Sequence, residues 1–276
     1  MARKKQPQGG NDEEMHRAMV MVQAVLMGIT PEEYAEFYNS VGDEVGPMAD
    51  GVIESPIKSV GQWAPASLPT PPAMEDAEHK TLTLKVQMQD VTKPPMWREL
   101  MVPADFDFLQ LHHAIQAACG FENGHLWQFQ RQAYNPDLQI GVPAEADEMG
   151  LDEWTHDARV TPITAFLAAK GDKLVYVYDF GDDWTFDVVV KSVGARDGEV
   201  PVCTKWKSDL QPVEDTGGVW AYLNMRDVWA HRDSLTARQK KDCAEQLGFE
   251  NFRELLRLLN DAQFDIEMVN GLLAEL

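Results

Sequence analysis

Leu82, Leu84, Val86 and Met88 alternate with Thr83, Lys85, Gln87 and Gln89, and this period of two predicts a half-buried strand. Lys93-Pro94-Pro95 supplies a turn, and residues 97–102 make a second strand. The period then lengthens. Phe108, Leu111, His112, Ile115, Ala118 and Cys119 share one helical stripe, with Asp107 as cap, Gln110 at the capping-box position and Gly120 as terminator. After Asn123-Gly124, residues 125–130 alternate again and predict a strand. Strand, strand, helix, strand is the order of a β-grasp-like core. A helix is expected over 163–169, then a hairpin over 176–190 that turns away at 194–197, and residues 199–218 read as loop with brief extended pieces. Helical spacing dominates from there: 219–229, a segment capped by Thr236 with Gln239, 251–259, and 266–274. The fold class expected is α+β: a β-grasp-like mixed sheet with a packed helix, followed by a C-terminal helical region, plus an N-terminal helical extension.

That extension rests on two short segments. Residues 13–27 are rich in Met, Ala and Val, and Thr30-Pro31-Glu32-Glu33 opens a second helix whose Tyr34, Phe37 and Tyr38 share a face. The pair is too small to fold alone. Between Gly42 and Glu78 lie six of the chain's sixteen prolines, which reads as an extended linker with Trp63 as its one sticky residue. The expected organisation is 1–41 helical extension, 42–79 linker and 80–276 main domain.

Charge narrows the function classes. The 276 residues carry 24 Lys and Arg against 45 Asp and Glu, a net charge of −21. Such a surface repels phosphate backbones and argues against direct nucleic-acid binding through a broad basic face. Cys119, Cys203 and Cys243 are odd in number and far apart, which fits neither a disulfide framework nor a thiolate zinc site and suits a reducing, cytoplasmic compartment. The apolar run at 19–27 is shorter than the roughly 20 residues a membrane span needs. The chain shows no Walker loop, Gly-x-Ser-x-Gly elbow, His-Glu-x-x-His or Gly-x-Gly-x-x-Gly.

Candidate chemistry gathers at the hairpin tip, Tyr178-Asp179-Phe180-Gly181-Asp182-Asp183-Trp184. With Gly181-Asp182 as a two-residue type II′ turn, Asp179 faces Trp184, Val177 faces Phe186 and Val175 faces Val188. Asp182 and Asp183 are then ordinary turn residues, whereas Asp179 ends an apolar face and needs donors, a cation or a proton. For Asp179 structural and functional accounts stand level. His125 falls on the strand face of Trp127 and Phe129; the simpler account is a backbone-bonded histidine, the other a metal ligand or general base beside Asp179. Glu214 and Asp215, ahead of Gly217-Gly218, serve either as loop carboxylates accepting N–H groups or as oxygen ligands. His112 and His113 read as core and surface. Convergence of His125, Asp179 and Glu214, with Asp182 and Asp215 as further candidate ligands, would suit magnesium or manganese.

Several stretches carry a family resemblance. Lys93-Pro94-Pro95-Met96-Trp97-Arg98 with Val102-Pro103-Ala104, then Leu111-His112-His113-Ala114-Ile115-Gln116 and His125-Leu126-Trp127-Gln128-Phe129, resemble the plasmid pRiA4b ORF-three-like family, also labelled insertion-element passenger TnpR-like. So do the hairpin tip, Pro212-Val213-Glu214-Asp215-Thr216-Gly217-Gly218, and Phe264-Asp265 with Val269-Asn270. The likeness spans 80–276 and departs at Asp183, where relatives often carry glycine, and in an acidic insert around 143–158. It implies an α+β protein linked to mobile genetic elements, with no settled activity. The activated serine amid arginines that a resolvase needs is absent. Three functions follow as expectations: a non-catalytic interaction or accessory protein with a protein partner; a metal-dependent hydrolase of phosphodiester type using His125, Asp179, Asp182 and Glu214; and, from charge alone, an acidic nucleic-acid mimic.

Overall fold

The alternation that opens the domain becomes the centre of a sheet. β1 (Lys80–Thr92) pairs antiparallel with β2 (Pro95–Pro103), Leu84 opposite Leu100 and Val86 opposite Arg98. On its other side β1 pairs antiparallel with β7 (Trp184–Ala195), Val86 opposite Val188 and Met88 opposite Phe186. Leu82, Leu84, Val86 and Met88 are fully buried, and each such side chain contributes roughly 1.5–3 kcal/mol relative to exposure. The alternate residues, Thr83, Lys85, Gln87 and Gln89, are only partly covered.

This computed structural model describes residues 69–135, 137–143, 154–198 and 200–276. The helices expected over 13–27 and from Thr30, Trp63, most of the linker and much of the acidic insert lie outside the described residues. The remaining strands are β3 (Trp127–Gln130), β4 (Gln139–Gly141), β5 (His156–Asp157), β6 (Lys173–Tyr178) and β8 (Val202–Lys207). They form one mixed eight-stranded sheet in the order β5-β4-β3-β6-β7-β1-β2-β8, antiparallel except for β4 with β5.

Helix α1 (Phe108–Cys119) covers the apolar face. Its N-cap is the expected capping box, in which Asp107 accepts the Gln110 N–H and Gln110 accepts the Asp107 N–H, and Gly120 closes it at φ 79°. The C-terminal region consists of α2 (Gly218–His231), α3 (Ala237–Gln246), α4 (Phe252–Asp261) and α5 (Ile266–Leu273), started at Thr236, Asn251 and Asp265 by side-chain caps for the last three. α5 packs on α1 and β8, while α2 meets β1. Arg226 of α2 donates to the carbonyls of Lys93 and Pro94, tying the helix to the β1–β2 turn.

Three local readings change. The helix expected over 163–169 is a single 3-10 turn, Ile163–Ala165, which ends at Phe166 with φ −128° and ψ −16°. β7 continues past the expected turn at Gly194 as far as Ala195, because Gly194 pairs with Thr81 and Ala195 with Lys80. The strand expected from His125 begins only at Trp127, leaving His125 in the connection after α1.

Arg98 is the unanticipated core residue. An inward position in β2 places it at 0% exposure, with Nε donating to the Ala118 carbonyl and Nη1 to those of Trp97, Lys207 and Ser208. Its guanidinium lies 4.1 Å from the Phe264 ring centre. Burial lowers its pKa from the usual arginine value, and the carbonyls of three separate segments supply part of the compensation a buried cation requires, Nη2 having no hydrogen-bond partner among the described residues.

Candidate functional site

The hairpin register differs by one residue from the expected pairing. Tyr178 faces Trp184, Tyr176 faces Phe186 and Leu174 faces Val188. Five residues, Asp179 to Asp183, therefore form the loop instead of two. The Asp183 N–H donates to the Asp179 carbonyl at 2.7 Å, and both residues take left-handed φ, 55° and 53°. Asp179 Oδ1 accepts the N–H groups of Gly181 at 2.9 Å and Asp182 at 3.3 Å, so its carboxylate holds the loop from inside. Its own N–H donates to the Leu126 carbonyl, which brings the chain around His125 alongside.

The second oxygen of Asp179 is used differently. Oδ2 lies 3.7 Å from His125 Nε2, Glu214 Oε2 lies 3.6 Å from it and Asp215 Oδ1 lies 3.4 Å from it. The ligand atoms of His125, Asp179 and Asp215 all fall within 4.8 Å of one another. Glu214 repeats the division of labour seen at Asp179. Its Oε1 accepts the Glu122 N–H at 2.6 Å and the Tyr178 hydroxyl at 2.7 Å, leaving Oε2 toward the imidazole. The Asp179 and Glu214 side chains are 10% and 11% exposed, that of Asp215 81%, so the group is walled on one side and open on the other. Among the described residues, no lysine or arginine forms an ion pair with these three carboxylates.

A buried polar network fixes the loop that carries His125. The Tyr178 hydroxyl accepts the Gly124 N–H, and the His125 ring stands edge-on to Tyr178 with centres 5.8 Å apart. One step earlier, Asn123 sits at φ 58°, with its N–H on Gln116 Oε1 and its Oδ1 2.6 Å from His112 Nε2. His112 Nδ1 faces the Tyr176 hydroxyl at 2.8 Å, and Gln116 donates to the same hydroxyl. Since Asn123 Oδ1 can only accept, Nε2 carries the proton and Nδ1 takes that of Tyr176. The imidazole stacks on Trp127 at 3.9 Å. Burial, with a smaller opposing contribution from Asn123, depresses the His112 pKa to about 3. Burial also raises the Tyr178 phenol well above its usual range, and the Glu214 carboxylate adds to that.

Of the candidate set, then, His125, Asp179, Glu214 and Asp215 converge, and Asp182 does not join them. Asp182 Oδ2 accepts the Gly217 N–H at 3.2 Å, at the start of α2, and its carbonyl oxygen would lie 2.1 Å from a Cβ at Gly218. Asp183 accepts from Thr185 and from the Tyr134 hydroxyl. His112 is a core residue, as expected. Tyr178 and Asn123 were not among the candidate site residues; the available signal was that Tyr176 and Tyr178 occupy the inward positions of a strand, where a phenol needs a polar partner.

Residues 80–270 match the protein family described as plasmid pRiA4b ORF-3-like. The chain belongs to this family. Every residue of the His125 group lies within the matched range. A similar protein is the uncharacterized protein y4hQ of Sinorhizobium fredii (strain NBRC 101917 / NGR234), 31% identical over 148 residues, 53% of this chain and 72% of that protein. Among solved structures, a protein of unknown function from Methanosarcina mazei Go1 is similar at 29% identity and a TM-score of 0.49, covering 68% of this chain and 97% of that one. Among the described residues no helix is long and apolar enough to cross a membrane.

Proposed function

We propose that this member of the plasmid pRiA4b ORF-3-like family binds a divalent cation between His125, Asp179 and Asp215, with Glu214 beside them, and uses it to activate water as a hydrolase. The convergence of three carboxylate oxygens on His125 Nε2 at 3.4–3.7 Å carries the reading. Around a magnesium ion with bonds of about 2.1 Å, adjacent ligand atoms stand about 3 Å apart and opposite ones about 4.2 Å, so the contacts to the imidazole would have to close by about 0.4–0.7 Å. One imidazole nitrogen among carboxylates suits magnesium or manganese better than a soft metal. The exposed side at Asp215 would leave coordination positions for water and substrate, and a cation there would supply Lewis-acid chemistry on a phosphodiester or similar ester.

The other reading is a non-catalytic interaction protein of mobile elements, in which His125 and the surrounding carboxylates hold one another without a metal. Thermal unfolding of the full chain with magnesium, manganese, zinc or calcium at about 1 mM separates the two, since a ligand that binds only the native state stabilises it by about 2.7 kcal/mol at a hundred times its Kd. The metal reading expects a rise with manganese or magnesium that Asp179→Asn and His125→Ala abolish. No rise with any of the four cations removes the hydrolase. Where a rise is seen, turnover of bis(p-nitrophenyl) phosphate tests the chemistry.

A further inference from the structure

A second set of groups meets on the other flank of the hairpin loop. A cleft of about 340 Å³ is lined by Gln89, Asp90, Tyr134, Asp182, Asp183 and Trp220, among others. Its size lies at the small end of ordinary ligand sites, about 300–1,000 Å³. Two aromatic side chains border it and remain open, Tyr134 at 51% and Trp220 at 55% exposure. Trp220 lies in the first turn of α2, on a segment that Gly217 and Gly218 hold against Asp182. Tyr134 is held by its hydroxyl on Asp183 and its N–H on Gln130. The Tyr134 ring and the backbone that carries Trp220 are thereby fixed.

The charge of the lining has one sign. Asp90, Asp182 and Asp183 contribute carboxylates, and among the described residues no lysine, arginine or histidine lines the cleft. Asp90 is exposed at φ 60°, and Asp183 keeps Oδ2 outside the hydrogen bonds that engage its Oδ1. Aromatic faces beside carboxylates attract a cation with an organic surface more than a bare metal ion. The ring quadrupoles and hydrocarbon contact add to the charge, whereas a metal ion demands converging oxygens at bonding distance.

We propose that this cleft binds an organic cation, a guanidinium or primary ammonium group on a flexible chain, seated on Trp220 and Tyr134 and neutralised by Asp90 and Asp183. The proposal is independent of the metal reading, because none of its residues belongs to the His125 group. Two sources carry that chemistry, a free amine such as agmatine or spermidine and a lysine or arginine side chain of a basic peptide.

Calorimetric titration of the full chain with agmatine, spermidine and an arginine-containing hexapeptide, each beside its uncharged counterpart (acetylated amine, citrulline peptide), is the test. Saturable one-site binding of a charged probe is expected, with its counterpart silent and affinity falling as salt rises. Tighter binding of agmatine identifies a small-molecule site; tighter binding of the peptide identifies a protein contact. Trp220→Ala removes an exposed side chain and should weaken binding about tenfold, and Asp90→Asn should weaken it severalfold. Glu275→Gln, a charge change at the C-terminus, controls for attraction to a chain of net charge −21. Absence of saturable binding by every probe overturns the proposal. So does binding that Trp220→Ala leaves unchanged, or that Glu275→Gln weakens as much as Asp90→Asn.

Discussion

Asp179 divides its carboxylate between two neighbours: Oδ1 accepts the N–H groups of Gly181 and Asp182, and Oδ2 stands 3.7 Å from His125 Nε2. Asn at this position keeps the acceptor that shapes the loop and tolerates φ 55°, but loses the charge that faces His125. Asp179→Asn is therefore expected to unfold within about 1 kcal/mol of the parent in urea and, if the site binds a cation as proposed, to show no response to manganese. Asp179→Ala removes the acceptor and places alanine in a left-handed conformation, at an expected cost of about 2–4 kcal/mol. Equal stabilities of the two variants would show that the loop does not depend on Oδ1.

Tyr178→Phe probes the other arm of the site. The hydroxyl donates to Glu214 Oε1 and accepts the Gly124 N–H, so its loss leaves a half-buried carboxylate oxygen and a backbone donor less well served. A destabilisation of about 1–3 kcal/mol is expected. If Glu214 is held in place for a cation, the same change should weaken manganese binding by about 10–100-fold, as loss of an outer-shell partner does elsewhere. Undiminished manganese affinity in a destabilised protein would confine the tyrosine to a structural role.

Two glycines separate backbone strain from steric exclusion. Gly198 has φ 93° and open space around the Cβ position, so Gly198→Ala carries strain alone, about 1–2 kcal/mol. Gly218 has φ 63°, and a Cβ there would sit 2.1 Å from the Asp182 carbonyl oxygen, which is backbone and cannot swing aside. Gly218→Ala should cost at least about 3 kcal/mol and loosen the contact between α2 and the hairpin loop. Chemical denaturation of both variants checks the ordering, and a smaller loss at Gly218 than at Gly198 would contradict it.

Strands and helices were legible wherever one face is apolar, because burial then fixes the period. β1 read correctly from Leu82, Leu84, Val86 and Met88, the helix after Thr236 from its cap, and the last two helices from the helical spacing of their apolar residues. The hairpin register was not legible. Gly181-Asp182 satisfies the rule for a tight turn, and only the internal hydrogen bonds of Asp179 make the five-residue loop better. For the site, residue types pointed to His125, Asp179, Glu214 and Asp215, which the fold brings together from three separate segments. They also pointed to Asp182, which faces α2 because the wider loop turns it away from His125. Arg98 was hidden for a related reason: alternation in β2 placed it inward, yet its partners are carbonyls of segments whose approach no local pattern encodes.

His112 makes stability depend on pH in a defined direction. Its pKa is about 3 in the folded protein, against about 6.5 in an unfolded chain. Because the folded value is the lower one, the unfolded state binds more protons below about pH 6.5. The stability that comes from keeping this imidazole neutral is complete above that pH and is lost as pH falls toward 3, at up to about 1.4 kcal/mol per unit. Glutamine can accept from Tyr176 and donate to Asn123 without titrating, so His112→Gln removes this proton linkage while keeping the network's polarity. At pH 7 the variant should be less stable by about 1–3 kcal/mol, having lost the stacking on Trp127. Between pH 6.5 and about 4.5 the parent should lose about 2–3 kcal/mol more than the variant, so the two stability curves converge. Carboxylates titrate in both proteins and cancel in the difference. Urea denaturation at half-unit steps measures it, and parallel curves would mean that the buried imidazole accepts a proton without disturbing the network that positions His125.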